Sequence, residues 1–166
     1  MKAISLSQHI HCLTDDDIYD WLHHWKWSVV TGNGGKGLKY ARRVGINPFL
    51  HKQQFIYLHK VVAGISKNYL LKFRDNNPLN LQRANMLVTN LRGEPVKWWC
   101  STGVSRFYGV KWDGYYGLWK AHILDMPIGY FVSEMNAAEA YNEKRRNFST
   151  NDLLENDLNL EVFNAT

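Results

Sequence analysis

Cysteine is scarce in this sequence, and long apolar runs are missing. The 166 residues contain two cysteines, Cys12 and Cys100, and no run of 18 apolar residues. Two cysteines cannot form a disulfide framework or a four-cysteine zinc site, and the N-terminal segment lacks the apolar stretch of a signal peptide. The sequence therefore predicts a soluble cytoplasmic protein that does not contact a membrane.

Acidic residues are also in deficit, and the deficit is uneven along the chain. The chain has 20 Lys and Arg against 15 Asp and Glu, and four of these acids lie in residues 149–166, which contain no Lys or Arg. Residues 1–148 therefore carry 20 basic groups and 15 − 4 = 11 acidic groups, a balance of +9. This surplus suits a surface that binds phosphates, and the 14% of aromatic residues could supply rings that stack on bases.

The first sixty residues alternate short apolar runs with turn signals, which is typical of a twisted antiparallel sheet. The glycine-rich segment TGNGGKG lacks the spacing of a phosphate-binding loop, so it is predicted to be a hairpin tip. Thr14 is predicted to cap a short helix over residues 16–23. The predicted strands are 2–6, 25–31, 39–44 and 54–59.

A second unit is predicted downstream of residue 98. Residues 106–131 are interpreted as three strands separated by an Asp-Gly turn and a turn that contains proline. Ser133 is then placed to cap a helix that continues to residue 148. Small residues recur along this helix, which predicts a flat face that packs closely against the sheet.

Three segments, taken in order, resemble parts of one known family. Residues 13–64 contain LTDDDIYDWLHHWKWSV, LKYARR and QFIYLHKVVAG, which resemble its N-terminal sheet. Residues 69–90, YLLKFRDNNPLNLQRANMLVTN, resemble the hairpin and helix of the HNH, or ββα-metal, nuclease. Residues 104–144 resemble the appended sheet and helix of an Apetala-type DNA-binding domain. The chain thus resembles the HNH homing endonucleases of phages and introns over most of its length.

This resemblance implies an α+β fold with three parts. Residues 1–98 would form an antiparallel sheet plus a degenerate ββα-metal unit. Residues 99–148 would form a three-stranded antiparallel sheet packed on one helix, and residues 149–166 would form an acidic and apolar tail. A phage origin would place the protein in the cytoplasm of the host cell.

The positions that would carry catalysis are substituted. In an active member of the family, the histidine of an Asp-His pair deprotonates water, the aspartate holds a divalent metal, and two asparagines orient the histidine and complete the metal site. The resemblance places Lys72 at the aspartate, Phe73 at the histidine and Leu81 at the orienting asparagine, and only the last asparagine is kept, as Asn85. Phe73 cannot accept a proton, and Lys72 repels a metal. We therefore expect a degenerate nuclease that holds no metal and no other cofactor.

Positive side chains near these positions could bind phosphate directly, because Lys72 puts its charge where the metal would lie. Relatives place the second sheet in the DNA major groove, but here that sheet is aromatic-rich and poor in the arginines that read base edges, which favours structured RNA. The candidate nucleic-acid-binding residues are Lys39, Arg42, Arg43, Lys60, Lys72, Arg74 and Arg83 in the first unit, and Arg106, Lys111, Trp112, Tyr115, Tyr116 and Lys120 in the second.

Together these features predict a non-catalytic protein that binds structured RNA or duplex DNA. Binding to ribosomal RNA, with an effect on host translation, is one hypothesis. Two alternatives stay open: an active metal-dependent HNH endonuclease with a rearranged centre, and a protein-interaction module with a basic face. The tail is too apolar to be only solvated, so it is expected to pack on the body of the protein or on a partner protein.

Overall fold

A computed structural model describes residues 1–148 and 153–161 of the chain. The fold is α+β, as predicted, and consists of small antiparallel sheets with few helices. Within the described residues, no helix is long and apolar enough to cross a membrane.

The elements follow one another along the chain, with longer connections over residues 74–85 and 91–109. The strands are β1 (Lys2–Ser5), β2 (His11–Thr14), β3 (Ser28–Thr31), β4 (Lys39–Asn47), β5 (Lys52–Tyr57), β6 (Tyr69–Phe73), β7 (Met86–Asn90), β8 (Val110–Asp113), β9 (Leu118–Ile123) and β10 (Met126–Phe131). The helices are α1 (Asp16–Leu22), the single turn α2 (Gly32–Gly35), α3 (Leu58–Ala63) and α4 (Glu134–Arg145).

The N-terminal hairpin of β1 and β2 leads directly into α1. The predicted cap, Thr14, is wrong, because Thr14 is still paired with Lys2 in the sheet and the N-cap residue is Asp15. Ile18 and Leu22 lie on the same side of α1 and are fully buried in the core. The helix therefore fixes the hairpin to the core through an apolar face at helical spacing.

The next sheet has the strand order β3-β4-β5, and α2 forms the tip between its first two strands. The prediction of a hairpin tip at TGNGGKG is confirmed. The predicted strand 54–59 ends early, at Tyr57, because Leu58 begins α3. Leu58, Val61 and Val62 are all buried, and this i, i+3, i+4 spacing was the signal for a helix in the sequence. Gly64 ends α3 with φ +61°, a left-handed conformation that favours glycine.

The segment that resembles the nuclease unit forms a hairpin without its helix. β6 and β7 pair antiparallel, and Phe73 lies opposite Met86 at the loop end. The helix expected within this segment is wrong, because residues 69–90 contain two strands with turns between them and no helix. Gly93 has φ +86°, Pro95 follows it, and the Val96 amide then donates to the Val88 carbonyl at 3.1 Å. After β7 the chain therefore turns back along that strand.

The second unit has the predicted architecture of three strands and one helix. β9 lies between β8 and β10, and the Ser133 hydroxyl accepts a hydrogen bond from the Asn136 amide at the start of α4. Trp119 of β9 is fully buried against Ala137 and Ala138 of α4. The small residues allow the helix to approach the sheet closely, as expected.

The two predicted units share contacts and a core. Leu118 of β9 is fully buried in the same cluster as Leu22 and Ile56. The Asn47 amide donates to the Tyr130 carbonyl at 3.0 Å. The largest apolar cluster therefore includes a residue of the second sheet and fixes that sheet on the first unit, while Trp119 and α4 belong to a second cluster.

The described part of the tail packs on the body of the protein, which was one of the two expectations. Leu160 is buried with Val88 and Val96, and the Leu160 amide donates to the Tyr69 hydroxyl at 3.0 Å. The remaining tail residues, 149–152 and 162–166, lie outside the described residues.

Asn156 anchors the tail through its side chain, which gives a first prediction. Its carboxamide accepts from the Tyr108 amide at 2.6 Å and donates to the Tyr108 carbonyl at 3.0 Å. Asn156→Ala removes both bonds and is expected to lower the free energy of unfolding by about 1.5 kcal/mol, measured by urea denaturation. Asn159→Ala, at an exposed position of the same segment, is the control. Equal stability of the two variants would show that the carboxamide of Asn156 does not hold the tail.

Candidate nucleic-acid interface

A groove of about 580 Å³ is lined by residues of β4, β5, α3, β6, the loop before β6 and the start of α4. We call it the aromatic–basic groove. Its lining residues are Tyr40, Phe55, Tyr57, His59, Lys60, Ala63, Ile65, Ser66, Lys67, Tyr69, Leu70, Leu71, Phe73, Val132, Ser133 and Asn136. A cavity of this size falls within the range of ligand-binding sites in proteins.

Four rings form one cluster in this groove. The ring centroid of His59 lies 5.2 Å from that of Tyr40, 5.6 Å from that of Tyr57 and 6.3 Å from that of Phe73. Tyr40 alternates with the buried Ala41 along β4, so its side chain lies on the outer face of the sheet. Tyr57 is paired with Arg42 on that same face. The sheet thus presents rings away from the core.

The charged side chains of the groove are all cationic. Lys60 and Lys67 are exposed, and no Asp or Glu is among the lining residues. Neither lysine makes a salt bridge with any residue of the described chain. Beside the groove, the Arg42 guanidinium lies 4.1 Å from the ring centroid of Phe55, which is 57% exposed. The groove therefore combines free positive charge with accessible rings.

His59 is a neutral group within this cationic groove. Burial, together with the positive charge of Lys60, lowers the pKa of His59 from 6.5 to about 4. The imidazole is therefore uncharged at pH 7. Its Nδ1 atom has no hydrogen-bond partner among the described residues. His59 thus adds a polar but uncharged group to the wall of rings.

The four positions where the resemblance expects catalytic residues lie in different environments. Phe73 lines the groove beside His59, whereas Lys72 alternates with it on β6 and is exposed outside the lining. Leu81 is fully buried in the core. Asn85 is buried, and its carboxamide accepts from the Asp75 amide at 3.0 Å and donates to the Asn80 carbonyl at 2.8 Å. The structure therefore places Asn85 as an anchor of the loop between β6 and β7.

Asp75 is the carboxylate nearest in sequence to Lys72 and Phe73, and it also forms hydrogen bonds within the loop. It accepts hydrogen bonds from the Asn80 side chain and from the Asn77 amide, both at 2.8 Å. These bonds, with that of Asn80 as the largest cause, lower the pKa of Asp75. No group of three or more His, Cys, Asp or Glu side chains that could hold a metal occurs within residues 1–148 and 153–161.

Two of the predicted phosphate-binding arginines make contacts within the protein. Arg43 donates to the carbonyls of Tyr116 and Gly117 at 2.9 and 2.8 Å, and burial lowers the pKa of Arg43 to about 10. The Arg83 guanidinium donates hydrogen bonds to the Asp17 carboxylate, one of them at 3.0 Å. This pairing lowers the pKa of Asp17. Both guanidiniums thus serve to join elements of the fold. Lys39 and Arg74 are exposed, and Arg42 is half-buried.

The aromatic candidates of the second unit differ in their surroundings. Trp112 packs edge-on against Trp21 and Trp119, so it contributes to the core. Tyr115 is 86% exposed, and Tyr116 packs against Tyr130. The second sheet therefore presents fewer free rings than its composition suggests.

The basic candidates of the second unit lie mainly at its surface. Lys111 is exposed and lies opposite the half-buried Lys120 in the pairing of β8 with β9. Arg106 is exposed, and its guanidinium lies 3.7 Å from the ring centroid of Trp99. None of these side chains lines the aromatic–basic groove.

The groove contains residues that the sequence did not single out. Tyr40, Phe55, Tyr57 and Lys67 were not among the candidates, although Lys60 was. The alternation of Tyr40 and Arg42 with buried residues along β4 was a signal for an exposed face. The proximity of β6 to that face could not be inferred from spacing, because residues from positions 40 to 136 meet there.

Comparisons with known proteins leave the resemblance to HNH endonucleases as a prediction from the sequence. No protein-family model, no curated protein and no solved structure matches this chain.

Proposed function

We propose that this chain is a non-catalytic nucleic-acid-binding protein whose main contact surface is the aromatic–basic groove. The observation that carries the proposal is the composition of the groove: exposed Lys60 and Lys67, a cluster of four rings, and no carboxylate in the lining. Cations bind the phosphates of a polynucleotide, and rings bind its bases, so both chemical parts of the ligand are matched.

The absence of catalysis is part of the same proposal. At the position where the resemblance expects a general base, Phe73 offers a hydrocarbon ring to the groove. Asn85 and Asp75, the nearest oxygen ligands, are engaged in hydrogen bonds that shape the loop. Phosphodiester hydrolysis needs an activated water and a cation at the leaving oxygen. We therefore propose a nuclease-derived fold, from a phage or a similar element, that has kept binding and lost cleavage.

RNA is the favoured target over duplex DNA. The face of the second sheet opposite α4 is closed at one end, because Leu118 is buried against the first unit and Arg43 holds the loop beside it. This leaves less of the sheet free to enter a major groove. A folded RNA offers unpaired bases that suit the rings of the aromatic–basic groove. The ribosome in the host cytoplasm is the partner that we propose, with translation as the affected process.

The test of this function is a binding and cleavage comparison on the intact protein. We expect a mobility-shift assay to show binding of a structured RNA that weakens as salt rises, since phosphate contacts release counterions. Incubation of plasmid DNA or RNA with Mg²⁺ or Mn²⁺ should give no cleavage. Cleavage that disappears in Asn85→Ala would instead support an active endonuclease. Binding that does not change with salt would support a protein-interaction module.

The hairpin of β6 and β7 gives a further prediction. Lys72 and Arg74 are exposed near its end but lie outside the lining of the groove. Lys72→Glu combined with Arg74→Glu is expected to weaken RNA binding by about tenfold, because these charges act at the edge of the contact surface and are partly screened.

The control for that variant changes the net charge equally at other exposed sites, with Lys26→Glu and Lys144→Glu. Circular dichroism should show that both double variants are folded. Unchanged affinity in the hairpin variant would mean that this hairpin is not part of the contact surface.

A further inference from the structure

We infer that the aromatic–basic groove binds unpaired nucleobases, so that its ligand is a single-stranded segment of a polynucleotide. The inference rests on the proposed function and specifies the class of ligand. In a duplex, the faces of the bases are stacked on one another, and only edges and phosphates are accessible. Rings in a groove can therefore add affinity only for bases that are not paired.

The rings of the groove are arranged as separate platforms. The planes of Tyr40 and Tyr57 are inclined at 90°, and His59 is inclined at 47° to Tyr40 and at 54° to Tyr57. None of these pairs is stacked face to face. Base–aromatic stacking uses the face of a ring and tolerates any base, since every base has a π face. The groove can thus receive more than one base without a fixed sequence.

The cations lie where a sugar-phosphate backbone beside stacked bases would need them. The Lys60 ammonium is 5.7 Å from the ring centroid of Tyr57, and Lys67 lines the same groove. A base on Tyr57 would therefore bring its own phosphate within reach of Lys60. Interleaved rings and cations of this kind are typical of surfaces that bind single strands.

Neutral polar groups complete the groove. His59 is uncharged at pH 7, and its Nδ1 atom has no partner among the described residues. That atom is itself buried, so the imidazole contributes an uncharged ring to the groove and the accessible polar contacts come from its neighbours. Asn136 also lines the groove and offers an amide. Uncharged donors and acceptors match the edges of bases better than they match phosphates.

The test compares three labelled probes of one length by fluorescence anisotropy with the full chain. They are a single-stranded RNA, the same strand annealed to its complement, and a strand in which abasic sites replace the bases. We expect the single strand to bind at least fivefold more tightly than either of the others, since stacking of even one base contributes a factor of roughly five or more.

Variants of Tyr57 connect that preference to the groove. Tyr57→Ala is expected to weaken binding of the single strand by roughly fivefold or more and to leave the abasic strand unaffected. Tyr57→Phe keeps the ring and should bind as the wild type does. Thermal unfolding of each variant checks that it is folded.

Two results would overturn the inference while leaving the proposed function intact. The first is a duplex that binds as tightly as the single strand. The second is a Tyr57→Ala variant whose affinity for the abasic strand falls as much as its affinity for the intact strand. If none of the three probes binds, the proposed function fails together with the inference.

Discussion

The double variant Lys60→Glu/Lys67→Glu is expected to bind single-stranded RNA roughly 20- to 100-fold more weakly than the wild type in 0.1 M salt. Each phosphate contact contributes about 0.7 to 0.9 to the slope of log affinity against log salt, which corresponds to roughly five- to tenfold in affinity at this salt concentration. Both lysines are exposed in the groove and are free of salt bridges within the described residues. Their replacement is therefore expected to remove two phosphate contacts.

The salt dependence separates this effect from a change in the fold. The slope for the double variant should be shallower than that of the wild type by about 1.4 to 1.8, the sum of two contacts. Lys26→Glu/Lys144→Glu changes the net charge by the same amount at other exposed positions and should alter affinity by less than threefold, a rough bound for screened charges. Equal losses in both double variants would indicate a response to total charge, and the groove would no longer be the contact surface.

The second large effect concerns stability, and it arises from the pKa of His59. Burial lowers this pKa from 6.5 to about 4 in the folded protein. Between these values the unfolded chain binds a proton that the folded chain does not, so stability falls as pH decreases through this window. The stability that neutral His59 allows the folded protein is fully present above pH 6.5. At pH 5 we expect a loss of about 2 kcal/mol in the free energy of unfolding from this group.

Urea denaturation at pH 7.5 and pH 5.0 measures this loss against a variant that cannot titrate. His59→Phe keeps an aromatic ring in the cluster and removes the ionisable nitrogen atoms. Every other titrating group is common to both proteins, so the wild type should lose about 2 kcal/mol more than His59→Phe between the two pH values. Equal losses, or a resonance of His59 that titrates near its ordinary value, would contradict the assignment of burial as the cause.

Local features of the fold followed from the sequence where short-range signals were strong. The Asp-Gly turn, the Ser133 cap and the small residues of α4 predicted three strands and a helix, and this arrangement is present. The cap of α1 was misplaced by one residue because Thr14 is also suited to the strand that it ends. The helix within residues 69–90 was expected from resemblance, whereas Asn76, Asn77 and Pro78 were local signals for a turn.

The sequence predicted which types of side chain the candidate site contains, but it did not predict which of these side chains meet there. The sequence showed excess positive charge and many rings, and the resemblance implied substituted catalytic positions, which together predicted binding and no cleavage. It did not distinguish the guanidiniums of Arg43 and Arg83, which are paired within the protein, from free ones, because their partners, Tyr116 and Asp17, lie 73 and 66 residues away in the chain. Likewise, Trp112 was a candidate for stacking until its neighbours in the core were known.

By itself, the sequence determined the types of side chain and the local elements, because helix caps, turns and strand alternation depend on neighbours in the chain. Only the tertiary structure decided which cations stay free and which rings stay accessible. Those properties depend on long-range packing, which brings Tyr40, Tyr57 and Phe73 to one groove and leaves Lys60 and Lys67 without a salt bridge to any of the residues that the structure describes. Charge and aromatic content are set by composition, whereas their meeting in one surface is set by the fold.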